Sequence, residues 1–549
     1  MLDLKSIYLY LLSLKKITIK TIRGFFFSTS FYNKRLVTEI PSRFFFYPNP
    51  YLLSPLLNHK ESLLKISKFE ANYFWNNSKN KNDVKNLHSF LWLNLIDRKN
   101  DKESMKKIVS DWIKNYGDYK RGVWDENILS KRIVAWISNA DLFLDKKEDK
   151  FLKFFTTYLI KQINFIKRNL NIVSYDNTKI SCLASIILSG LVFKEYYPNY
   201  NFGMKELKKI IINFFDKDGF PKNRNLEHLI LFLQYFIIIK EWIKNGQESV
   251  PDYLNDIIDK NIICLNSLKN ETKNLPLFNG TTEKNLDSFY LYLSKLNYIF
   301  DKKLKLIGQI QIIKNKKNTI YFDSGEPPIY EYSKDYQSGP LSFEFFYEDN
   351  KIITNCGYGR KISKKAQLIS KFTSAQSTLC LNDTSVVKFQ KNNLINKTFG
   401  STISDGFKIS ESIREENKND IYITATHNAY LNKYGYLHKR EIRILKKSGV
   451  VNGVDTLIKK KNIPQGLRFS IRFHIYPGIS AIKTLSGKGI LLQINQKKSW
   501  MLISDSHDLE IEKGLFMGRN RLVNNDCVVI YGNTNQQDTC IKWELKRSV

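Results

Sequence analysis

A few well-separated histidine, tyrosine and arginine residues could move a proton or hold an anion. His427 and Tyr430 follow the apolar run that begins at Ile421, which predicts a position at the end of a strand, where a loop could present them. Imidazole and phenol suit proton transfer, and the guanidinium of Arg224 suits two-point pairing with a carboxylate. The alternatives are a strand-end pair packed beneath a sheet and a structural ion pair.

The cysteine spacing gives no sign of a metal centre. Six cysteines are scattered through the chain, with no CxxC pair and no Cys/His spacing of the zinc-ribbon type. Buried free thiols are therefore expected, with a disulfide between Cys527 and Cys540 across a β-hairpin as the alternative. We expect no metal and no cofactor.

The apolar pattern predicts helices in the first half of the chain. Between residues 61 and 312 apolar residues recur at helical spacing, as at Met105, Ile108, Val109 and Trp112. Short polar links between such segments indicate antiparallel helical hairpins, which allows a bundle, a solenoid or a ring. Residues 1–60, rich in basic, aromatic and proline residues, are expected to be an irregular lead-in.

The second half of the chain, residues 313–549, has the pattern of an all-β domain. Short β-branched and aromatic runs alternate with Gly, Asn and Asp, as in 421–427, 467–475 and 528–532. Strands at this spacing indicate a sandwich or a barrel.

The chain is strongly basic, with a formal net charge of +33 over 549 residues. Codon drift toward Lys, Asn and Ile explains this charge as well as a polyanionic ligand does, and nucleic acid, anionic lipid and acidic polysaccharide are the candidate ligands. No RNA-binding or zinc-finger signature occurs, so nucleic acid is not expected. The run Ile7–Leu14 is too short to span a bilayer and lacks a cleavage site, so neither a transmembrane segment nor a clear signal peptide is predicted.

A series of motifs resembles the heparinase II/III-like polysaccharide lyases. The segment from Trp124 to Trp136 reads W-x-x-x-x-x-S-x-R-I-x-x-W. Further landmarks follow in family order, and they are Asn177, Asp218-Gly219 with Arg224-Asn225, Leu277-Phe278-Asn279-Gly280, Asn355-Cys356-Gly357, Thr373 to Leu379, His427-Asn428-Ala429-Tyr430, His438-Lys439-Arg440 and Arg472 to Pro477. The resemblance covers residues 85–546. It implies an incomplete (α/α) toroid followed by an antiparallel β-sandwich, with the sugar cleft where they meet.

The same resemblance implies β-elimination at a uronic acid within an anionic glycan. Such a reaction needs a group that neutralises the uronate carboxylate, a base for the C5 proton, and an acid for the departing oxygen. Asn177 matches the family's carboxylate-binding asparagine, with a helix cap as its alternative role. Thr178 replaces the histidine that usually follows, and the region around His228 replaces the usual tyrosine. His427 and Tyr430 are therefore the substitute candidates for proton transfer, with Tyr175 and Tyr358 as weaker ones.

Sugar-binding residues are also implied by the resemblance. Arg132, Trp124 and Trp136 could line a cleft through charge and stacking, although Trp at helical spacing more often belongs to a core. Asn225 and His474 complete the substrate-binding candidates. Lyases of this kind that hold zinc use His, Asp and His from the sandwich. The matching positions here are Gln337, Asn355 and Gln376, and amides are poor zinc ligands.

These observations predict a lyase-like protein of the bacterial cell envelope or periplasm that cleaves an acidic glycan, although a cytoplasmic location is compatible with the sequence. The first alternative is a member of the same family that binds or handles a surface polysaccharide without cleaving it. A nucleic-acid-binding protein is the remote alternative. The sequence sets neither the polymer nor the oligomeric state.

Overall fold

The computed structural model describes residues 4–57, 81–96, 98, 102–144, 149–173, 177–269, 274–298, 301–461, 466–504 and 507–548. These residues form two compact units. Unit 1 comprises Met1–Phe215 and Ile230–Lys260, and unit 2 comprises Asp216–Leu229 and Asn261–Val549. The predicted domain boundaries at residues 60 and 312 stay predictions.

The first half of the chain is helical, as the apolar spacing predicts. Its helices are α1 (Leu4–Phe27), α2 (Ser30–Arg35), α3 (Lys81–Ser89), α4 (Lys102–Tyr116), α5 (Glu126–Ser138), α6 (Asp149–Asn169), α7 (Asn177–Val192), α8 (Tyr197–Phe214), α9 (Leu226–Asn245), α10 (Asp252–Leu268) and α11 (Asp287–Lys295). Helix α4 buries Met105, Ile108, Val109 and Trp112 on one face, which follows from their i, i+3, i+4 and i+7 spacing. Among the described helices, none has both the length and the apolar character needed to cross a bilayer.

The lead-in differs from expectation, because it contains a helix of 24 residues. The prolines that suggested irregular structure, Pro41, Pro48, Pro50 and Pro55, all lie after α1 and α2. The helix itself contains no proline and one glycine, Gly24, so nothing in its sequence breaks the backbone hydrogen bonding.

The second half of the chain is a sandwich of two antiparallel sheets. Its strands are β1 (Leu306–Ile307), β2 (Ile310–Asn315), β3 (Asn318–Asp323), β4 (Phe343–Tyr347), β5 (Asn350–Thr354), β6 (Leu379–Leu381), β7 (Lys388–Phe389), β8 (Ile403–Asp405), β9 (Ile409–Glu416), β10 (Asp420–His427), β11 (Tyr436–Leu445), β12 (Val451–Lys459), β13 (Arg468–Ile475), β14 (Ser480–Lys483), β15 (Gly489–Asn495), β16 (Lys498–Ile503), β17 (Leu509–Phe516), β18 (Val523–Asn533) and β19 (Thr539–Ser548). Short helices α12 (Lys364–Ile369), α13 (Asn393–Phe399) and α14 (Leu431–Tyr434) lie between strands.

The nine-stranded sheet has the order β1-β2-β3-β4-β5-β13-β18-β17, with β6 also paired to β13, and the eight-stranded sheet has the order β14-β15-β16-β19-β12-β11-β10-β9. Aromatic residues join the inner faces of the two sheets. Phe343 of β4 stacks on Trp543 of β19 with ring centroids 5.5 Å apart, and Phe345 meets Trp500 of β16 at 4.8 Å. Alternating burial along β11 and β12 gives the eight-stranded sheet one face in this core.

All six cysteines are free thiols, so the alternative of a Cys527–Cys540 disulfide is wrong. The proposed hairpin does not form, because β18, which holds Cys527, and β19, which holds Cys540, belong to different sheets.

Candidate functional site

A polar cluster in unit 2 combines a tyrosine, a carboxylate and an arginine. Tyr358 Oη donates a hydrogen bond to Asp335 Oδ1 at 3.0 Å, and Gln367 Nε2 donates to Tyr358 Oη at 2.7 Å. Arg360 places Nη1 3.5 Å from the same carboxylate oxygen, and His228 interacts with it electrostatically. We call these five residues, His228, Asp335, Tyr358, Arg360 and Gln367, the Tyr358 cluster.

The Tyr358 cluster reaches from the interior of unit 2 to its surface. Tyr358, Asp335 and His228 are buried, Gln367 is partly buried, and the Arg360 side chain is 57% exposed. Beside it, Glu227 forms an ion pair with Lys284 at 3.2 Å and feels the charge of the exposed Lys361. The cationic ends of Arg360, Lys284 and Lys361 therefore border a buried tyrosine–carboxylate pair.

Electrostatics fix the protonation of the pair at neutral pH. Burial disfavours the charged form of Asp335, but Arg360, Lys334, His228 and the Tyr358 hydrogen bond outweigh it and hold the pKa of the carboxyl below its usual value. Burial and the neighbouring carboxylate raise the pKa of Tyr358 well above its usual value. Asp335 is therefore ionised and Tyr358 is a neutral phenol that donates to it.

Two glycines bring the backbone into position next to Tyr358. Gly357 has φ +73°, and a Cβ atom there would lie 2.4 Å from the backbone N and Cα of Gly518. At this crossing Met517 N donates to Cys356 O at 2.6 Å. Only glycine fits such a close approach, so the crossing holds the segment that presents Tyr358.

The side chain of Asn177 is exposed at the first residue of α7. Its amide is accessible to solvent, which is compatible with the carboxylate-binding role that the sequence assigns to it. Tyr175 lies outside the described residues. The role of Asn177 stays a prediction.

Arg132, Trp124 and Trp136 are core residues, which contradicts their assignment to a sugar-binding surface. Arg132 is fully buried, donates from Nε to Gln162 Oε1 at 2.6 Å, and stacks over the Trp112 ring at 4.2 Å. Trp124 donates from Nε1 to Tyr116 O at 2.9 Å, and Trp136 packs edge-on against Trp112. No face of these side chains is exposed enough to stack on a sugar.

Arg224 and Asn225 have structural roles as well. Arg224 is buried, with Nη2 2.5 Å from Asp323 Oδ1 and Nε donating to Gly308 O at 3.1 Å. Asn225 Oδ1 accepts from the backbone N of Glu227 and of His228, which makes it the cap of α9. The guanidinium thus already has a protein carboxylate as its partner, which was the alternative to substrate binding.

His427 and Tyr430 belong to a buried network in the sandwich. His427 Nε2 lies 3.1 Å from His438 Nδ1, and His438 Nε2 lies 2.7 Å from Asp455 Oδ1. Asp455 also accepts from Arg440 Nε at 2.7 Å and from Trp543 Nε1 at 2.9 Å. Tyr430 Oη instead donates to Leu379 O at 3.1 Å.

The surroundings of His427 and Tyr430 differ from those of Tyr358. The hydrogen bonds of His427 lead to His438, Arg440 and Asp455, which are fully buried, whereas the Tyr358 cluster reaches the surface through Arg360. His427 and Tyr430 are at most 1% exposed. Burial lowers the pKa of His427 well below its usual value and raises that of Tyr430 well above its own. The alternative of a pair packed beneath the sheet therefore describes them better than the catalytic hypothesis does.

His474 is buried on β13. Its Nε2 lies 3.0 Å from Ser374 O, and its backbone N donates to Ser377 Oγ at 3.0 Å. Burial lowers the pKa of His474 to about 4. Its assignment to substrate binding is not supported, because the residue is buried and its Nε2 already contacts a backbone carbonyl oxygen.

The comparisons with known proteins identify the second half of the chain. Residues 301–544 match the family model described as heparinase II/III-like, C-terminal. This part of the chain is a heparinase II/III-like domain.

Solved structures extend the likeness in fold beyond the heparinase II/III-like domain. The heparan sulfate lyase HepC from Pedobacter heparinus matches with a TM-score of 0.67 at 14% identity, over 91% of this chain and 86% of that one. A heparinase III structure matches with a TM-score of 0.68 at 12% identity, over 88% and 82% of the two chains. The predicted fold class, an incomplete (α/α) toroid followed by an antiparallel β-sandwich, is confirmed.

One curated relative shares a shorter segment. The FtsZ-localized protein C of Caulobacter vibrioides is 24% identical over 196 residues, which are 34% of this chain and 33% of that protein. The chain thus spans about a third of the length of that relative.

The positions that match zinc ligands in the resembling lyases hold an amide network in the heparinase II/III-like domain. Gln337 Nε2 donates to Ser370 O at 2.8 Å and to Gly357 O at 2.9 Å, and Gln376 Nε2 donates to the same Ser370 O at 2.9 Å. Asn355 Oδ1 accepts from Ser377 N at 3.0 Å. Within the described ranges, no three His, Cys, Asp or Glu side chains meet in a way that could hold a metal ion.

Sequence reasoning missed most of the Tyr358 cluster. Tyr358 ranked below His427 and Tyr430, and Asp335, Arg360 and Gln367 carried no motif. The available signal was the landmark Asn355-Cys356-Gly357, which stands directly before Tyr358 and is separated by two residues from the basic pair Arg360-Lys361.

Proposed function

We propose that this protein is a polysaccharide lyase that cleaves an acidic, uronate-containing glycan by β-elimination, with Tyr358 and Asp335 as its proton-transfer pair. The observation that supports this proposal is the neutral phenol of Tyr358, which donates to an ionised buried carboxylate beside the exposed guanidinium of Arg360. A cell-envelope location is part of the proposal, because acidic surface polymers are found there.

The reaction needs a proton to move from C5 of the uronate to the glycosidic oxygen at C4. The ionised Asp335 takes the C5 proton, and the C5 electron pair forms the C4–C5 double bond as the C4–O bond breaks. Tyr358, held as a neutral phenol, gives its proton to the departing oxygen, and the proton on Asp335 then passes to the Tyr358 oxygen. The pair ends in its starting state.

Charge neutralisation of the uronate carboxylate is the second requirement. The exposed Arg360 and Lys361 and the partly buried Lys284 provide attraction for a polyanion. Asn177 remains the candidate for a direct hydrogen bond to the carboxylate, proposed from the sequence resemblance.

The experiment is absorbance of the unsaturated uronate while the purified protein is incubated with heparan sulfate and other uronate polymers. Tyr358→Phe removes only the hydroxyl, and we expect kcat to fall by about 100-fold or more with KM nearly unchanged. Tyr422→Phe is the matched control, because it removes a hydroxyl on β10 that contacts Glu441 of β11 and should leave the rate unchanged. Asn177→Ala should raise KM and lower kcat.

A non-catalytic glycan-binding protein is the second candidate function. The observation that favours it is the burial of His427, His438 and His474. Because they are buried, these three histidines are not accessible acids or bases for a glycan. Binding to a heparan sulfate column with a flat absorbance trace across the polymers would favour this candidate. Full activity of Tyr358→Phe would instead support the proposed lyase function and contradict the role of Tyr358 as its reacting residue.

A further inference from the structure

Helix α1 carries a stripe of apolar side chains that are exposed to solvent. Ile7, Leu11, Leu14, Ile22 and Phe25 lie at i, i+4, i+7, i+15 and i+18, a spacing that places them along one side of a helix. Their side chains are between 40% and 75% exposed. We call these five residues the α1 stripe.

Exposed apolar residues are concentrated here and not spread evenly over the protein. Of the 26 large hydrophobic residues that are exposed in the described chain, ten lie at or before Phe31. Tyr8, Tyr10 and Phe26 widen the α1 stripe at its borders. Single exposed apolar residues are ordinary on a protein surface, but several on one side of a helix, here interrupted by Thr18 and Thr21, indicate a contact surface.

The charge of the same helix is entirely positive. Leu4–Phe27 contains Lys5, Lys15, Lys16, Lys20 and Arg23, and no Asp or Glu. By helical geometry Lys16, Lys20 and Arg23 fall on the side away from the α1 stripe, and Lys15 borders it. The helix therefore combines an apolar side with a cationic side, at a net charge that suits an anionic surface.

The carboxyl end of α1 is fixed to the body of unit 1. The Phe27 ring lies 4.7 Å from Tyr32, 5.1 Å from Phe165 and 5.3 Å from Tyr119, measured between centroids. Asn33, just after the helix, accepts from Tyr119 N at 2.9 Å. The helix is thus part of a packed unit while its stripe remains exposed.

We propose that α1 binds the surface of a lipid bilayer with anionic headgroups and lies in the plane of that surface. Five basic residues within 24 make crossing of the hydrocarbon layer unfavourable, whereas an interfacial position buries the α1 stripe and leaves the ammonium groups among the headgroups. At about 36 Å long, the helix would align its whole stripe with the interface. This surface activity is separate from the proposed glycan chemistry.

The test is co-sedimentation of the full chain with phosphatidylcholine vesicles made with and without phosphatidylglycerol. We expect sedimentation with the anionic vesicles and little with the neutral ones. The double variant Leu11→Asp/Ile22→Asp should weaken the partition at least tenfold. Leu485→Asp is its matched control, since Leu485 is fully exposed between β14 and β15, outside the α1 stripe, and should have no effect.

A charge variant separates the cationic contribution from the apolar one. Lys15→Glu/Lys16→Glu should weaken vesicle binding at least about tenfold, because each basic residue near an anionic surface raises the affinity for that surface roughly tenfold or somewhat less. Lys460→Glu/Lys461→Glu changes two exposed lysines after β12 by the same charge and should change binding by less than about twofold.

Three outcomes would overturn the proposal. They are equal sedimentation with neutral and anionic vesicles, no sedimentation with either, and loss of binding in the Leu485 control to the same degree as in the stripe variant. A fourth outcome would assign the stripe to a second copy of the chain: Leu11→Asp/Ile22→Asp would lower the mass seen by light scattering and leave vesicle binding intact.

Discussion

The chemically capable side chains differ in whether their polar neighbours reach the surface, as those of Tyr358 do through Arg360. His427, Tyr430, Arg224 and His474 all have side chains suited to catalysis or anion binding, yet each is buried and already bonded to protein atoms. Asp455 is the centre of the largest of these networks, because one carboxylate serves His438, Arg440 and Trp543. Such a residue specifies the sandwich and has no free lone pair for a substrate.

The replacement Asp455→Asn tests this structural role. Arg440 would then be a fully buried cation without its counter-charge, so we expect a loss of about 3–5 kcal/mol in the free energy of unfolding of the sandwich. Asp405→Asn is the matched control, because its ion pair with Lys388 is exposed on both sides and should contribute less than about 1 kcal/mol. Urea unfolding followed by circular dichroism measures both. Equal midpoints for the two variants would contradict the assignment.

The sequence could locate the chemistry of the site only in part. Asn177 was found because it follows a family motif, and its exposure agrees with a role at the surface. The pairing of Tyr358 with Asp335 could not be found, because it joins residues 23 positions apart through the turn at Gly357. The burial of His427 also left no local trace, since a strand-end residue faces either the core or the solvent with the same flanking sequence.

At the scale of elements, the crossing of Gly357 and Gly518 holds the Tyr358 segment. Gly357→Ala would place a methyl group against the backbone of Gly518 in addition to the strain of a positive φ. Gly478→Ala is the matched control, since its φ is +98° and no atom lies within 4 Å of the added Cβ. We expect Gly478→Ala to cost about 1–2 kcal/mol in free energy of unfolding from strain alone.

The Gly357 variant should cost at least twice as much free energy of unfolding as the Gly478 control, as measured by urea unfolding, and it should abolish the proposed lyase activity because Tyr358 moves. A result in which both variants lose the same stability would show that the Gly518 backbone yields to the methyl group. The crossing would then not be the feature that positions Tyr358.

Most of the elements follow from the apolar period, and the exceptions have identifiable causes. The periodicity predicted helices between residues 61 and 312, and it identified the buried face of α4 residue by residue. Helix α8 is less evident, because it contains Pro198 and Gly203. Proline is tolerated in the first turn of a helix, and Gly203 is the point where Ile187 of α7 comes closest. Helix α1 was not predicted, because its apolar side is exposed and no second apolar segment in the sequence pattern pairs with it.

At the scale of the whole molecule, two separate groups of basic residues contribute to the net charge of +33. Arg360, Lys284 and Lys361 lie at the Tyr358–Asp335 pair in unit 2, while α1 in unit 1 carries Lys15, Lys16, Lys20 and Arg23 on the same helix as its apolar stripe. A glycan and a membrane would therefore be recognised by different residues. Substitutions in one group of basic residues should weaken only the binding assigned to that group. If the charge reflected codon drift alone, neither group of substitutions would weaken one kind of binding selectively.

Buried histidines make the stability of the molecule depend on pH between about 7 and 5. Burial lowers the pKa of His474 and of His88 to about 4, and it also lowers the pKa values of His427 and His438. At pH values below the ordinary histidine pKa of about 6.5, these histidines bind protons in the unfolded chain but not in the folded one. The free energy of unfolding must therefore fall as the pH falls. Carboxylates with lowered pKa values, such as Asp335, lose their contribution only below about pH 4.

We expect the free energy of unfolding, measured with urea, to drop between pH 7.5 and pH 5 by about 1–2 kcal/mol for each such histidine. His474→Gln should flatten this dependence by one histidine's share, whatever it does to the absolute stability, because glutamine does not titrate. His507→Gln is the control, since His507 is only partly buried and should change the slope less. A slope unchanged by His474→Gln would mean that His474 accepts a proton in the folded protein, which its contact with Ser374 O and its burial oppose.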